Sequence, residues 1–189
     1  MSIRDVAASA YREAAPALVA SMVGGLFAGV VLSGMRAELQ AVPGLLVCVP
    51  ALLATRGNVY GSLGARLATG LHQGLLRPRF EADERLVNAA AAAMANGLLA
   101  SVAAAVLAFC VLLALGREVA SLGVLAAIAF VAGLLSGVVL TVAVVAVVVV
   151  GFRRGYNPDA LVGPLVTTIG DVFGLAFLVV AVRLVLGVA

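Results

Sequence analysis

The sequence predicts an all-α polytopic membrane protein with five transmembrane helices, the second of them interrupted. Three observations lead there. Hydrophobic residues make up 64% of the 189 and charged residues only 11%, far from the balance of a water-soluble domain. The apolar runs are long enough to cross a hydrocarbon core of about 30 Å, which takes roughly 20 helical residues. Most charges fall in the short segments between those runs, and in lipid only a helix or a closed barrel satisfies its own backbone.

The chain reads as one domain, 1–189, whose residues 1–15 form a short cytoplasmic tail carrying Arg4, Asp5, Arg12 and Glu13. Pro16 opens the first span, where a missing N–H does no harm, and Arg36 and Glu38 close it. The run is too long for the apolar core of a cleaved signal peptide. Within it Gly25, Gly29 and Ser33 form a small-residue stripe, which lets helices approach closely in lipid. Packing inside one bundle is favoured here over a seam between subunits.

From Gln40 to Leu76 the chain is too long for one span, since about 37 residues of helix would measure roughly 55 Å. After Pro43 and Pro50, the polar, glycine-rich stretch Thr55–Ser62 is read as the interruption. Non-helical backbone at membrane depth needs protein or water to satisfy it, so the insert should face a cavity or a helix contact. Gly61 to Leu76 is amphipathic, with Arg66, Thr69, His72 and Gln73 among leucines, and emerges at the interface. His72 reads as an interfacial residue rather than a metal ligand.

The charged segment Arg77–Arg85 is a solvated connection. The third span follows from Leu86 to Leu115 and the fourth from Val119 to Gly151, with Gly133 and Gly137 four apart. Cys48 and Cys110 lie inside apolar runs without metal-ligand spacing and read as packing residues. Asp159, just after Pro158, is a helix-start residue favoured by the helix dipole. The fifth span runs from Leu161 to Val188.

Counting arginines in short loops orients the chain. With the N-terminus cytoplasmic, that side holds Arg4, Arg12, Arg77, Arg79, Arg85, Arg153 and Arg154, and the other side only Arg36 and Arg117. Five spans then put the C-terminus outside, where Arg183 snorkels to the interface.

One charge breaks the pattern. Asp171 is a carboxylate inside the fifth span, where an ionised aspartate costs roughly 2.5–3.5 kcal/mol on insertion scales. Ten residues past Leu161, it lies about 15 Å deep, near the midplane. No other charged residue lies within a turn of it along the same helix. Its partner is therefore another helix, another subunit or a cation. An arginine of the same subunit clamped onto it would leave no charge for an ion to balance. Thr167 and Thr168, four and three residues earlier, share its face, although each hydroxyl can also bond back to its own helix. Pro164 frees a carbonyl one turn earlier.

Several functions are excluded. No basic face survives burial of the spans, so nucleic acid is not a partner. The chain is not read as an enzyme. An intramembrane aspartyl protease needs two carboxylates sharing a proton, and no second acid lies within a predicted span. A serine-type protease needs a buried Ser–His pair, and the lone His72 is interfacial. No Walker-type loop is present.

Two motifs carry a resemblance. The segment Pro50-Ala51-Leu52-Leu53-Ala54-Thr55-Arg56-Gly57-Asn58-Val59-Tyr60-Gly61-Ser62-Leu63-Gly64-Ala65-Arg66-Leu67 resembles the Gly-Asn signature in the second helix of the MgtE magnesium-channel family and its relatives in solute carrier family 41. Asn157-Pro158-Asp159, followed by Pro164-Leu165-Val166-Thr167-Thr168-Ile169-Gly170-Asp171, resembles that family's fifth helix.

The resemblance implies a divalent-cation permeation domain in the plasma or inner membrane, working as a homodimer with its pore between subunits. It makes Asp171 the ion-coordinating residue, Thr167 and Thr168 pore-side positions before it, and Asn58 the Asn of the Gly-Asn element. Gly57, Pro164 and Gly170 follow as further pore-lining positions. The implied ion is Mg²⁺, with Mn²⁺ or another divalent cation as substitutes. Bacterial members carry a large sensor region before the first helix, where this sequence has Met1–Ala15. Eukaryotic relatives fuse two copies of the five-helix unit, where this chain has one.

Elementary physics agrees. Two Asp171 carboxylates facing each other across a two-fold axis must share a proton or a cation. Mg²⁺ dehydrates reluctantly, so a wide site with one or two carboxylates and neutral oxygens suits it. The rival is an accessory or structural membrane subunit whose Asp171 pairs with a partner helix.

Overall fold

A computed structural model describes residues 3–81, 83–156 and 158–187, without the side chains of 3–10, 12–14, 17 and 158–160. The predicted features at Met1, Ser2 and Asn157, and the side chains of Arg4, Asp5, Arg12, Glu13 and Asp159, lie outside the described residues.

All regular structure among the described residues is helical: α1 (Ile3–Gly34), the short α2 (Arg36–Ala41), α3 (Leu45–His72), α4 (Glu84–Ala114), α5 (Leu122–Arg153) and α6 (Pro158–Leu186). Among the described residues, three stretches are long and apolar enough to cross a membrane: Glu84–Ala114, Leu122–Arg153 and Leu161–Leu186. Leu18–Gly34 is a shorter apolar segment within α1.

The interruption predicted within residues 40–76 falls elsewhere than expected. The chain breaks at Val42–Gly44, where Pro43 lacks an N–H and Gly44 takes a positive φ of 89°. Thr55–Ser62 is continuous helix. Its hydroxyls are satisfied within α3, Thr55 Oγ1 donating to the Leu52 carbonyl at 3.1 Å and Ser62 Oγ to the Val59 carbonyl at 2.8 Å. Polar side chains that bond back in this way do not break a helix in lipid. The Val42–Gly44 corner is tied to the α4–α5 loop by the Ala120 N–H, which donates to the Pro43 carbonyl at 2.9 Å.

Two further expectations are corrected. Pro16 lies inside α1 rather than at its start, a position that long helices tolerate when neighbouring groups take up the freed carbonyl. Arg183 does not simply snorkel: its Nε donates to Glu38 Oε1 at 3.0 Å, pairing with a carboxylate that is otherwise buried.

Helix α6 is the centre of the bundle, packed against α1, α3 and α5, while α4 packs on α3 and α5. The caps follow the sequence. Asp83 Oδ1 accepts from the Arg85 N–H at 2.8 Å to start α4, and Ser121 caps α5. Glycines set the close approaches. Gly64 of α3 receives the side chain of Val162, and Gly137 of α5 receives the Tyr60 hydroxyl, which a Cβ would meet at 2.5 Å.

Candidate functional site

The buried apolar side chains form two clusters, one above the other. One gathers Leu45, Leu52, Leu125, Ile128, Leu175 and Leu178. The other gathers Tyr60, Leu63, Leu140, Val144, Val162 and Val166. Between them, halfway along each of α3 to α6, lies a layer of glycines and polar residues: Arg56 and Gly57, Gly97 and Ser101, Gly133 and Ser136, Gly170 and Asp171. The serines spend their protons on their own helices, Ser101 Oγ donating to the Gly97 carbonyl at 2.8 Å and Ser136 Oγ to the Ala132 carbonyl at 2.5 Å. Two charges remain in the layer, Arg56 and Asp171.

The neighbours of Asp171 fix where it faces. One turn earlier on α6, Thr168 Oγ1 lies 3.1 Å from Ser21 Oγ of α1, and its methyl fills the space beside Gly24. Thr167, also one turn earlier, turns its methyl to Gly57 of α3, where a Cβ would stand 3.2 Å away. One turn later, Gly174 abuts Arg56 of α3, whose Nη1 would be 2.5 Å from a Cβ at that position. Asp171 thus projects between the α1-facing and α3-facing directions of α6. Helices α1 and α3 both pack on α6 but scarcely touch each other among the described residues. The half-buried carboxylate therefore faces the furrow between them.

The predicted residues divide accordingly. Thr167, Thr168 and Pro164 share the side of α6 that carries Asp171. Both hydroxyls bond back to α6, Thr167 to the Gly163 carbonyl and Thr168 to the Pro164 carbonyl at 2.7 Å. Their lone pairs stay available as neutral oxygen donors. Gly57 meets Thr167 across the α3–α6 seam, and Asn58, next to it, is exposed. Gly170 is turned the other way, buried beside Leu140 of α5. His72 is exposed and meets the Phe152 ring edge-on, with centroids 5.4 Å apart.

Arg56 is the residue that sequence reasoning passed over. It is 3% exposed, and its Nε and Nη2 have no hydrogen-bond partner among the described residues. Its guanidinium rests against Gly174, one turn from Asp171 along α6. The two are nevertheless not clamped: the ion pairs within 4.0 Å among the described residues are Arg183–Glu38 and Arg79–Glu81. Nor, among the described residues, do three His, Cys, Asp or Glu side chains converge into a metal-binding group. The furrow thus offers a single carboxylate with hydroxyls beside it.

The MgtE family, described as divalent cation transporters, matches residues 49–181, a stretch from the start of α3 through most of α6. The chain belongs to this family. Its MgtE region includes both motifs and the whole mid-height layer. Among curated relatives, solute carrier family 41 member 2 of Mus musculus is 32% identical over 143 residues, 71% of this chain and 24% of that protein. The Gallus gallus protein of the same name is 30% identical over 166 residues, 79% of this chain and 28% of its own length. The Homo sapiens protein is 30% identical over 148 residues, covering 74% and 25%. This MgtE-family chain spans about a quarter of the length of the curated relatives it matches.

Proposed function

We propose that this chain is the permeation unit of a divalent-cation transporter, with Mg²⁺ as the favoured ion and Mn²⁺ as a substitute. One observation carries this. A lone carboxylate, Asp171, stands half-buried at mid-height in an open furrow, with two threonine hydroxyls one turn away and no base within 4.0 Å among the described residues. A carboxylate so placed needs a counter-charge, and a mobile cation that keeps part of its water shell supplies one.

The five long helices cross the membrane, α3 among them, with the N-terminus cytoplasmic and the C-terminus outside, and residues 1–189 act as one domain. A second copy closes the furrow, so that two Asp171 carboxylates face one ion across a two-fold axis. Exposed Gly25, Gly29 and Ser33, with open space beside both glycines, support α1 as the seam. Asn58 and Gly57 line the α3 wall of the path, and Pro164 the α6 wall. A membrane potential negative inside draws a divalent ion inward by about 4.6 kcal/mol per 100 mV, with no need of ATP.

The test is Asp171→Asn in reconstituted vesicles with a trapped divalent-sensitive dye. Mg²⁺ and Mn²⁺ uptake should fall to the level of empty vesicles while the purified protein keeps its helical content and assembly. Unchanged uptake would refute the assignment. Loss of a co-purifying partner without any change in divalent flux would point to an accessory subunit instead.

A further inference from the structure

We infer that Arg56 is a tethered counter-cation that competes with the transported ion for Asp171. This rests on the ion-site role of Asp171 proposed above, and adds the residue that controls release.

A guanidinium carries five N–H donors and no acceptor. At 3% exposure, Arg56 leaves both Nε and Nη2 without partners among the described residues. A buried charge in that state costs free energy that an acceptor would recover. The nearest carboxylate in the layer is Asp171, on the same side of α6 as Gly174, against which the guanidinium rests. Gly174 makes this possible, since a Cβ would collide with Nη1 at 2.5 Å. The carboxylate faces the furrow, and the guanidinium rests one turn along α6, against Gly174.

Asp171 therefore has two candidate partners, an ion in the furrow and the guanidinium beside Gly174. With an ion in the furrow, the carboxylate turns outward and leaves Arg56 unpaired. Once the ion leaves, a side-chain rotation brings the carboxylate onto Nε and Nη2, the paired geometry that guanidinium favours. Each partner weakens the hold of the other. Arg56 thus keeps cation binding loose enough for release and keeps the emptied carboxylate from standing uncompensated in low dielectric.

The experiment is Mn²⁺ binding to purified full-length protein in detergent, with free Mn²⁺ read by its paramagnetic resonance signal. Arg56→Gln should bind Mn²⁺ at least tenfold more tightly than the wild type, and Arg56→Lys, which keeps the charge, within about threefold of it. Adding Asp171→Asn to Arg56→Gln should abolish the gain. If Arg56→Gln does not purify folded, Arg56→Met carries the same expectation, because an apolar isostere of a buried charge is usually tolerated. Equal or weaker binding in the neutral variants, with Asp171→Asn still inactive, would overturn the counter-cation and leave the ion site standing. Wild-type binding in Asp171→Asn would overturn both.

Discussion

Arg183 reaches from α6 to Glu38 of α2, its Nε and Nη2 each 3.0 Å from the same oxygen, Oε1. The Glu38 side chain is only 8% exposed while that of Arg183 is 57% exposed. Both ends of α6 are thus anchored differently: by packing near Val162 and by an ion pair near Arg183. Arg183→Ala leaves a buried carboxylate alone and should cost about 1–2 kcal/mol, between the surface and buried limits for ion pairs. Glu38→Gln should cost less, because it removes the charge that needs the partner. Thermal unfolding midpoints in detergent check the order, which would be wrong if Glu38→Gln were the more damaging.

Gly64 and Gly61 lie three residues apart on α3 in opposite surroundings. A Cβ on Gly64 runs into the Val162 side chain, while one on Gly61 meets nothing within 4 Å. Gly64→Ala should destabilise by about 1–3 kcal/mol through overpacking. Gly61→Ala should be neutral or stabilise by up to about 1 kcal/mol, since alanine loses less backbone freedom in a helix. Paired unfolding measurements in one detergent decide it.

The long helices were legible in the sequence because apolar length in lipid admits so few alternatives, and Asp171 because a carboxylate in such a run stands out. The break at Pro43–Gly44 was harder to see than Thr55–Ser62, since polarity and glycine content both favour the latter. What they do not reveal is that each hydroxyl finds a carbonyl in its own helix. Arg56 did have a signal. Leu45, Val49, Leu52, Arg56, Tyr60, Leu63, Leu67 and Leu71 recur at helical spacing and are all buried, so the arginine occupies a core position of its stripe. Its closeness to Asp171 depends on the α3–α6 packing, which one sequence does not contain.

Thr168 gives a test that separates chemistry from packing. Its Oγ1 lies 2.7 Å from the Pro164 carbonyl and 3.1 Å from Ser21 Oγ, so its proton serves the carbonyl and its lone pairs face α1 and the furrow. Thr168→Val keeps the shape and should cost about 1 kcal/mol in stability. If the oxygen also steadies the hydrated ion, Mn²⁺ uptake should fall several-fold, and Thr168→Ser should restore it. Uptake tracking stability alone, with valine and serine alike, would remove Thr168 from the ion path.

Three glycines on α1 tell the inner face of the bundle from the outer. Gly24 is buried and its missing Cβ makes room for the Thr168 methyl, whereas Gly25 and Gly29 are exposed with nothing within 4 Å. The expectation that this stripe packs within one bundle is therefore corrected for Gly25 and Gly29. Around them Met22, Leu26, Phe27 and Val30 are exposed as well, so this face meets either lipid or another protein surface. Small residues flanked by large apolar ones suit close helix approach in a bilayer. With α1 as the seam of the proposed homodimer, Gly25→Leu with Gly29→Leu should lower the light-scattering mass in detergent from dimer to monomer, leave helical content unchanged and abolish divalent uptake. Gly24→Leu should instead lower the unfolding midpoint, by forcing α1 away from α6. A dimer that persists in the Gly25→Leu, Gly29→Leu variant would move the seam off α1, and the second carboxylate would then have to approach Asp171 along α3.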